Sequence, residues 1–400
     1  MSCNEWKEYK LEDICLNITD GKHGNCVDED NSGYYFISAK DINEGKINYN
    51  NARQITKVDY EDVHKRTKLE IDDILITNSG TIGKMAIITE KDKINATTFQ
   101  KSVAIVKPIK DLVLPRFLYY NLIYDIKYLI NLAGGSVQKN LLLKDLRNLK
   151  VYIPSLEKQE KIANILSSLD DKIELNNEMN KTLEEMAKMF FKRWFVDFEF
   201  PNEDGEPYKS SGGEMVESEL GMIPKGWEVG TLDNIGTFKN GKTIKQELRN
   251  DNGKNLIYGS NGIIGKTNEV LQDNNCIIIG RVGAYCGSVQ LSLESCWVTD
   301  NAIMGIANKK EYLPYLHRFL LNYPLRESAG GSAQPLINQS ILKSIRTVIA
   351  PQNLLEKYYN ISNKILLKID ENNKENIILS DLRDSILPKL ISGEIKVQIV

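Results

Sequence analysis

Two long stretches of the chain carry mostly apolar residues at alternating steps of three and four. In the first stretch these positions are Ile162, Ile165, Leu169, Lys172, Asn176, Met179, Leu183, Met186 and Phe190. In the second they are Tyr358, Ile361, Ile365, Lys368, Asn372, Glu375, Leu379, Leu382 and Ile386, each 196 residues later. Such spacing places side chains on one helical face, so we predict two long helices, which follow Pro154 and Pro351.

The polar positions within these two stripes also match, because Lys172 and Asn176 correspond to Lys368 and Asn372. Polar residues at fixed places in an apolar seam are typical of coiled coils, in which they specify register. The pattern therefore favours the two helices packing on each other. Two amphipathic helices that each pack on a globular core are the alternative.

The regions that precede the helices also repeat. Trp6, Leu11 and Ile14 match Trp227, Leu232 and Ile235 at an offset of 221 residues. Further matches are the loops 20–22 and 240–242, the strand-to-glycine turns 74–83 and 277–287, and the segments 133–138 and 329–334. Self-similarity of this kind predicts two copies of one structural unit.

Each copy is predicted to be a mixed α/β domain. The β-branched runs at 103–106 and 277–279 are typical of buried strands, and the segments after Pro115 and Pro314 are typical of helices with a proline in the first turn. We predict domains at 1–153 and 227–350 and long helices at 154–200 and 351–400. Residues 201–226, rich in Gly, Pro, Ser and acidic residues, are predicted to form an exposed linker.

Composition and charge narrow the classes of function. The 400 residues are 42% hydrophobic and 26% charged, with no apolar run of bilayer length and no signal-peptide pattern, so we expect a cytoplasmic protein with free cysteines. Three histidines in separate regions argue against a histidine metal site. The net charge is −3, but residues 154–226 hold 16 acidic against 9 basic residues. The two globular regions are therefore nearly neutral or mildly basic, which allows DNA binding through a few placed cations.

Motifs that would mark an enzyme are absent from the sequence. There is no G-x-G-x-x-G, H-E-x-x-H or G-x-S-x-G, and no Asn/Asp-Pro-Pro-aromatic tetrapeptide of the kind found in amino-methyltransferases. The stretch from Gly259 to Thr267 has five residues between its glycines, whereas a phosphate-binding loop needs four. We therefore expect no catalytic site and no metal site on this chain.

Motifs at the ends of the two helical stretches resemble a known family. The segment 190–198 (FFKRWFVDF) is similar to the central conserved region of specificity subunits of type I restriction-modification enzymes, and 387–395 (LPKLISGEI) resembles their terminal signature. The linker and the segment 224–227 (PKGW) are similar as well. The order domain, helix, domain, helix covers the whole chain.

The resemblance implies an α+β protein in which two similar target-recognition domains are separated by two long helices. In the family these helices form an antiparallel coiled coil with pseudo-twofold symmetry. The chain would read a split sequence in double-stranded DNA, one half-site per domain. Two modification subunits would carry S-adenosylmethionine and methylate adenine N6, restriction subunits would use ATP and Mg²⁺, and the chain itself would bind no cofactor. A helix over 155–197 would be about 65 Å long, enough to span half-sites about 34–36 Å apart.

Polar loop residues at strand ends are the predicted DNA contacts, because Asn and Gln bond adenine, Arg and Lys bond guanine, and small residues let the backbone approach phosphates. In the first domain they are Thr19, Asp20, Gly21, Lys22, His23, Thr77, Asn78, Ser79, Ser136, Gln138 and Lys139. In the second they are Lys239, Asn240, Lys242, Tyr258, Ser260, Asn261, Arg281, Ser332 and Gln334. For each Gly, Ser or Asn an ordinary tight turn is the competing interpretation.

A surface for partner subunits is predicted from apolar residues at the helix ends: Phe190, Phe191, Trp194, Phe195, Leu387 and Leu390. Two other classes of protein stay open. One is an enzyme with a fused recognition domain, and the other is an adaptor whose two domains bind proteins, which the acidic net charge favours.

Overall fold

The structure, a computed structural model, describes residues 6–43, 45–132, 140–330 and 335–397. It divides into two compact units, Met1–Glu174 with Ile377–Val400, and Leu175–Asn376. Each unit therefore combines one globular domain with part of each long helix. Among the described residues no helix has both the length and the apolar composition that crossing a membrane requires.

The first globular domain is a mixed α/β structure that ends at a long helix. Its elements in chain order are β1 (Lys7–Lys10), β2 (Cys15–Asp20), β3 (Tyr35–Ile37), β4 (Ile42–Asn43), β5 (Lys46–Ile47), α1 (Lys57–Thr67), β6 (Ile74–Thr77), β7 (Met85–Ile87), β8 (Thr97–Phe99), β9 (Val103–Pro108), α2 (Pro115–Tyr124), α3 (Ile126–Leu132), α4 (Leu143–Arg147), β10 (Lys150–Ile153) and α5 (Leu156–Phe191).

The main sheet of this domain has the order β2-β9-β6-β7, and all its neighbours are antiparallel. Its central strand β6 is buried on both faces, because successive side chains of a strand point to opposite sides. Ile74 and Ile76 pack into one core with Phe117 and Leu166, whereas Leu75 packs into a second core on the other face. The domain also has smaller two-stranded sheets, in which β3 and β8 pair in parallel and β1 and β10 pair in antiparallel orientation.

The second domain follows the first helix and ends at another long helix. Its elements are β11 (Met215–Ser218), β12 (Gly221–Pro224), β13 (Glu228–Thr231), α6 (Leu232–Ile235), β14 (Gly236–Asn240), β15 (Asn255–Gly259), β16 (Gly262–Thr267), β17 (Cys276–Gly280), β18 (Val289–Ser292), β19 (Cys296–Val298), β20 (Ala302–Ala307), α7 (Tyr312–Asn322), α8 (Gln339–Ser344), β21 (Arg346–Ile349) and α9 (Gln352–Ile391).

The topology of the second domain repeats that of the first. Its main sheet has the order β14-β20-β17-β18, β15 pairs in parallel with β19, and β13 pairs with β21. The central strand divides its side chains in the same way, with Ile277 and Ile279 in one core and Ile278 in another. The two domains are thus copies of one mixed α/β fold, as the repeat predicts.

Helices α5 and α9 pack on each other in antiparallel orientation within each unit. In the first unit the Arg383 guanidinium donates to an Asp170 carboxylate oxygen at 2.6 Å. In the second, Asn176 bonds Asn376 at 2.9 Å. Residue numbers rise along α5 as they fall along α9, so the helices run in opposite directions. The prediction that the helices pair with each other is confirmed.

The predicted seam of this helix pair is wrong at several positions. Ile165, Met186, Ile361 and Leu382 lie exposed. The residues one position later, Leu166, Ala187 and Ser362, are buried, and Arg383 is half-buried. Each helix also packs on its globular domain, as Ile162 and Leu166 show in the first core, so its buried stripe is displaced from a strict heptad line.

The predicted surface for partner subunits is also wrong for five of its six residues. Phe191, Trp194, Phe195, Leu387 and Leu390 are buried in the cores of their own units, and Phe190 is half-buried. Residues Lys192–Val196 form a π-helical turn after α5, which directs Phe195 against Trp227, Tyr315 and Tyr358. A run of apolar residues does not by itself distinguish a partner surface from a core.

Residues 201–226, expected to form an exposed linker, contain the short hairpin β11-β12. Its register pairs Met215 with Pro224 and Ser218 with Gly221. Most residues of the segment are exposed or half-buried. The connection between the two domains is therefore exposed but has regular structure, which its irregular composition did not predict.

Candidate nucleic-acid interface

The polar loops of the first domain meet at the segment 100–102, which joins β8 to β9. The Lys22 backbone amide donates to the Phe99 carbonyl at 2.9 Å, and the Lys101 amide donates back to the Lys22 carbonyl at 3.0 Å. The Asn78 amide donates to the Ser102 carbonyl at 3.0 Å. We call residues 19–23, 77–79 and 100–102 the first loop cluster. Its members are far apart in sequence but share one edge of the fold.

The second domain builds the same arrangement around the segment 299–301, which joins β19 to β20. The Lys242 amide donates to the Val298 carbonyl at 2.9 Å, and the Arg281 amide donates to the Asn301 carbonyl at 3.1 Å. The Thr299 amide donates to the Tyr258 carbonyl at 2.9 Å. We call residues 239–242, 258–261, 281 and 299–301 the second loop cluster.

A glycine allows the backbones to approach closely in each cluster. A Cβ atom on Gly21 would lie 2.0 Å from the Phe99 carbonyl oxygen, and one on Gly241 would lie 2.1 Å from the Thr299 carbonyl oxygen. No side chain fits at either distance. The Asp-Gly-Lys and Asn-Gly-Lys motifs therefore have a packing reason for their glycine, and the following lysine is placed by that contact.

The Lys22 and His23 side chains of the first loop cluster are held by carboxylates. The Lys22 ammonium lies 3.0 Å from an Asp59 oxygen and 3.2 Å from an Asp62 oxygen, and the pKa of Lys22 is raised chiefly by its bond to Asp59. Asp20 accepts from His23 at 2.8 Å and from Arg66 of α1 at 3.3 Å. These pairs place three carboxylates, those of Asp20, Asp59 and Asp62, at or beside the loop, which lowers its attraction for phosphate.

The second loop cluster presents its cations without such partners. Lys239 and Lys242 are exposed, and Arg281 is half-buried. Within the described ranges none of these three side chains makes an ion pair. The position that corresponds to Asp20 is Asn240, so the carboxylate of the first cluster is replaced by a neutral amide. The second cluster is therefore the more electropositive of the two.

Asn78 and Arg281 occupy the same structural position in the two clusters. Each follows the central strand, β6 or β17, and the carbonyl of each accepts from a later backbone amide, that of Leu141 or Ile337. Each also carries a buried polar atom without a hydrogen-bond partner, Oδ1 of Asn78 and Nε of Arg281. Such atoms are rare in folded proteins. Asn78 is buried whereas Arg281 is half-buried, so only Arg281 is placed to reach a ligand from this position.

Other predicted contacts are placed less favourably. Thr77 is buried and its hydroxyl accepts from the Lys84 amide at 2.9 Å. Tyr258 is buried in a core cluster, where burial raises its pKa. The prediction that these two side chains contact DNA is wrong, because both are buried. Thr19, Asp20 and Asn78 are buried as well, so the same correction applies to them. Ser260 and Asn261 form a turn between β15 and β16, with Asn261 exposed.

Several predicted contacts cannot be placed in the clusters. Ser136, Gln138, Lys139, Ser332 and Gln334 lie outside the described residues. Ser79, which forms a backbone bridge with Asn140, is half-buried. The repeated segment 133–138 and 329–334 thus stays a prediction as a DNA contact.

Sequence reasoning missed residues that the structure brings to the clusters. The connecting segments 100–102 and 299–301 include the exposed residues Lys101, Asp300 and Asn301. Arg66 reaches the first cluster from α1, where it also bonds the Gly21 carbonyl at 2.6 Å. Extending the repeat through β8-β9 and β19-β20 would have identified the two segments. Among the described residues no group of histidines, cysteines and carboxylates could hold a metal ion.

Two copies of one α/β domain, joined by paired helices and each ending in a cluster of polar loops, define a duplicated recognition protein. A family model described as "Type I restriction modification DNA specificity domain" matches residues 4–185 and 224–376. The chain therefore belongs to the type I restriction-modification DNA specificity family. Its function in that family is recognition of a DNA sequence and not catalysis.

Relatives and a solved structure agree with this assignment. The chain is 30% identical over 352 residues to the MjaIX specificity subunit of Methanocaldococcus jannaschii, covering 81% of this chain and 78% of the relative. It is 24% identical over 469 residues to the HindI specificity subunit of Haemophilus influenzae, covering 98% and 100%. A crystal structure of the S subunit from M. genitalium shares the fold, with a TM-score of 0.65, 18% identity and coverage of 98% and 97%.

Proposed function

We propose that this chain recognises a two-part sequence in double-stranded DNA, with each loop cluster contacting one part. The observation that carries the proposal is that two domains of the same topology build the same strand-end edge twice, around 100–102 and around 299–301. A duplicated reader requires a target with two parts. DNA and the other components of a type I restriction-modification complex are its partners.

The chemistry of the matched position suggests a base for the second part. An arginine guanidinium matches the two acceptors that guanine presents in the major groove. We therefore assign the half-buried Arg281 to a guanine, whereas Asn78, which is buried, is assigned to no base. Lys239 and Lys242, exposed and without ion pairs in the described structure, are suited to phosphates.

Chemistry on the DNA belongs to other polypeptides in this proposal. Two modification subunits would bring the adenine methyltransferase and S-adenosylmethionine, and restriction subunits would bring ATP, Mg²⁺ and cleavage. This chain would bind none of these cofactors. Purified chain that transfers methyl groups or cleaves DNA without added subunits would contradict this division, and a duplex that binds no better than random DNA in the presence of modification subunits would favour a protein adaptor.

The spacing between the two parts is assigned to the helix pair. Inserting seven residues, about two turns, into both α5 and α9 lengthens each helix by about 10 Å. This equals about three base pairs at 3.4 Å each. We expect the sequenced methylation motif to gain a gap of about that size while both half-sites stay unchanged.

The matched control inserts seven residues into α5 alone, which leaves α9 short and should abolish motif-specific methylation. An unchanged gap in the double insertion would refute the spacing role. Loss of one half-site in the double insertion would instead indicate that the insertion damaged a domain.

A further inference from the structure

Six asparagines meet between α5 and α9 in the second unit. They are Asn176, Asn177 and Asn180 of α5, and Asn372, Asn373 and Asn376 of α9. Members of the two sets correspond at the 196-residue offset of the internal repeat. We call these six residues the asparagine layer. It is the polar interruption that the apolar seam predicted at Asn176 and Asn372.

Four hydrogen bonds join the layer across the two helices in two equivalent pairs. Asn176 Nδ2 donates to Asn376 Oδ1 at 2.9 Å, and at the equivalent place Asn372 Nδ2 donates to Asn180 Oδ1 at 2.8 Å. Asn376 Nδ2 donates to Asn177 Oδ1 at 2.9 Å. Its equivalent is the bond from Asn180 Nδ2 to Asn373 Oδ1, also 2.9 Å. The layer is therefore self-complementary under the symmetry of the repeat.

The central amides of the layer have no access to water. Asn176 is 0% exposed and Asn372 is 1% exposed. Asn176 also donates to a Glu375 oxygen at 2.8 Å. In this register Asn372 Oδ1 is buried without a partner among the described residues, but the Nδ2 groups of both asparagines are bonded across the helices. A buried amide that loses its partner keeps the full cost of its desolvation, so these two side chains favour arrangements in which amides face them.

Alternative registers of the helix pair remove those partners. In the observed pairing Asn176 faces Asn376. Sliding α9 by two turns in one direction would oppose Asn176 to Ile369, and sliding it in the other direction would oppose it to Arg383. An apolar seam alone discriminates weakly between such registers, because heptad positions are interchangeable. The buried amides supply the discrimination.

We infer that the asparagine layer fixes the single register in which α5 and α9 pair, and that it thereby holds constant the gap between the two parts of the recognised sequence. The first part of this inference concerns the helix pair alone, and the second rests on the proposed function. The residues of the asparagine layer are positioning residues, since the proposal gives them no contact with DNA or with a partner subunit. Buried asparagines of coiled coils have this effect and lower stability in exchange for a unique arrangement.

The test compares two double substitutions at repeat-related asparagines. N176L/N372L removes the buried centre of the layer, and N164L/N360L changes exposed asparagines of the same helices, also 196 residues apart. Register is measured by double electron–electron resonance between spin labels at Lys181→Cys and Leu367→Cys, both exposed sites, in a chain whose native cysteines are replaced by alanine. Gap length is measured independently by sequencing the methylation motif of cells that express each variant with its partner subunits.

We expect one label distance in the parent chain and in N164L/N360L, and a second distance in N176L/N372L, whose thermal midpoint should rise. Its methylation motif should acquire additional gap lengths. A single unchanged distance in N176L/N372L would overturn the inference. A second distance with an unchanged gap would support the register role while refuting the spacing role of the helices.

If N176L/N372L loses its helical circular dichroism, the single variants N176L and N372L replace it. Each retains one of the two equivalent amide pairs, so each should show a smaller fraction of the second distance. Single variants with only the parent distance would overturn the inference.

Discussion

The two loop clusters share a backbone frame and differ in their charges. In the first, Asp20 holds Arg66 and His23, while Asp59 and Asp62 hold Lys22. In the second, the residue that corresponds to Asp20 is Asn240, whose side chain is a neutral amide. The repeat has therefore conserved the hydrogen bonds that position the loops and left the side chains facing outward free to diverge. A fold that recognises different bases must keep the backbone that positions its loops while the side chains of those loops vary.

The comparison extends to one buried cation in each domain. In the first domain Lys107 lies 2.6 Å from Asp73, and both side chains are buried. In the second domain Arg318 is buried but pairs at 2.6 Å with Glu184, which is exposed. Both partners of the first pair are thus shielded from water, whereas in the second pair only the arginine is shielded. Loss of the cation should affect the two domains unequally.

The largest predicted effect is that of Lys107→Met. It leaves the Asp73 carboxylate buried without its cation, which should destabilise the first domain by about 3–5 kcal/mol. Arg318→Met leaves an exposed carboxylate that water solvates, so we expect a loss of about 1 kcal/mol. Urea unfolding, with hydrogen exchange to assign the transition to a domain, measures both values.

The double variant Lys107→Met with Asp73→Leu is the control for this pair. It removes both charges, so much of the stability should return. If Lys107→Met and Arg318→Met destabilise their domains equally, the contrast between the two ion pairs is wrong.

The matched position at the strand ends gives the next prediction. Arg281→Ala should reduce discrimination at one base of the second half-site by about 1–3 kcal/mol. The measurement is binding of duplexes substituted one base pair at a time, with modification subunits present. Uniformly weaker binding to every sequence would make Arg281 a phosphate contact instead.

Lys239→Ala is the matched control for Arg281→Ala. Because Lys239 is assigned to a phosphate, its loss should weaken binding to all duplexes alike. The slope of the logarithm of the binding constant against the logarithm of the salt concentration should decrease by about one. If Lys239→Ala changed the base preference, Lys239 would be a base contact and its assignment to a phosphate would be wrong.

One buried group in each unit should contribute to the response to acid, and the two contributions should have opposite signs. Burial lowers the pKa of His317 in the second unit to about 3, whereas burial raises the pKa of Asp125 in the first unit to about 6. Below pH 6.5 His317 is protonated in the unfolded chain but not in the folded chain. The free energy of unfolding therefore decreases as the pH is lowered. At Asp125 the folded chain takes up the proton first, so stability rises as the pH falls through 6.

From pH 7 to pH 5 these shifts amount to a loss of about 2 kcal/mol from His317 and a gain of about 1 kcal/mol from Asp125. Unfolding of each unit at the two pH values, followed by hydrogen exchange, measures them. His317→Leu should remove the first effect and Asp125→Asn the second. A pH response that survives the matching substitution would assign it to another group.

Periodicity predicted the repeat, the central strands and both long helices, because each depends on residues close together in sequence. The contacts that complete the loop clusters were not predictable in this way. Arg66 reaches Asp20 across 46 residues, and the segments 100–102 and 299–301 come next to the loops only through the pairing of strands that are distant in sequence. The sequence also predicts a partner surface at Trp194 and Phe195, which are buried. Composition cannot correct this prediction, because an apolar run has the same composition in an interface and in a core.

The smallest predicted effect tests where the buried face of the helices lies. The heptad line places Ile165 and Ile361 in the seam, but both are exposed, and Leu166 is buried beside them. Ile165→Ala and Ile361→Ala should therefore change the free energy of unfolding by less than about 0.5 kcal/mol, which is ordinary for surface positions. Leu166→Ala should cost about 2–5 kcal/mol, because it opens a cavity in the first core. Thermal and urea unfolding of the three variants decide between the two faces. Equal losses at Ile165 and Leu166 would mean that the seam follows the heptad line after all.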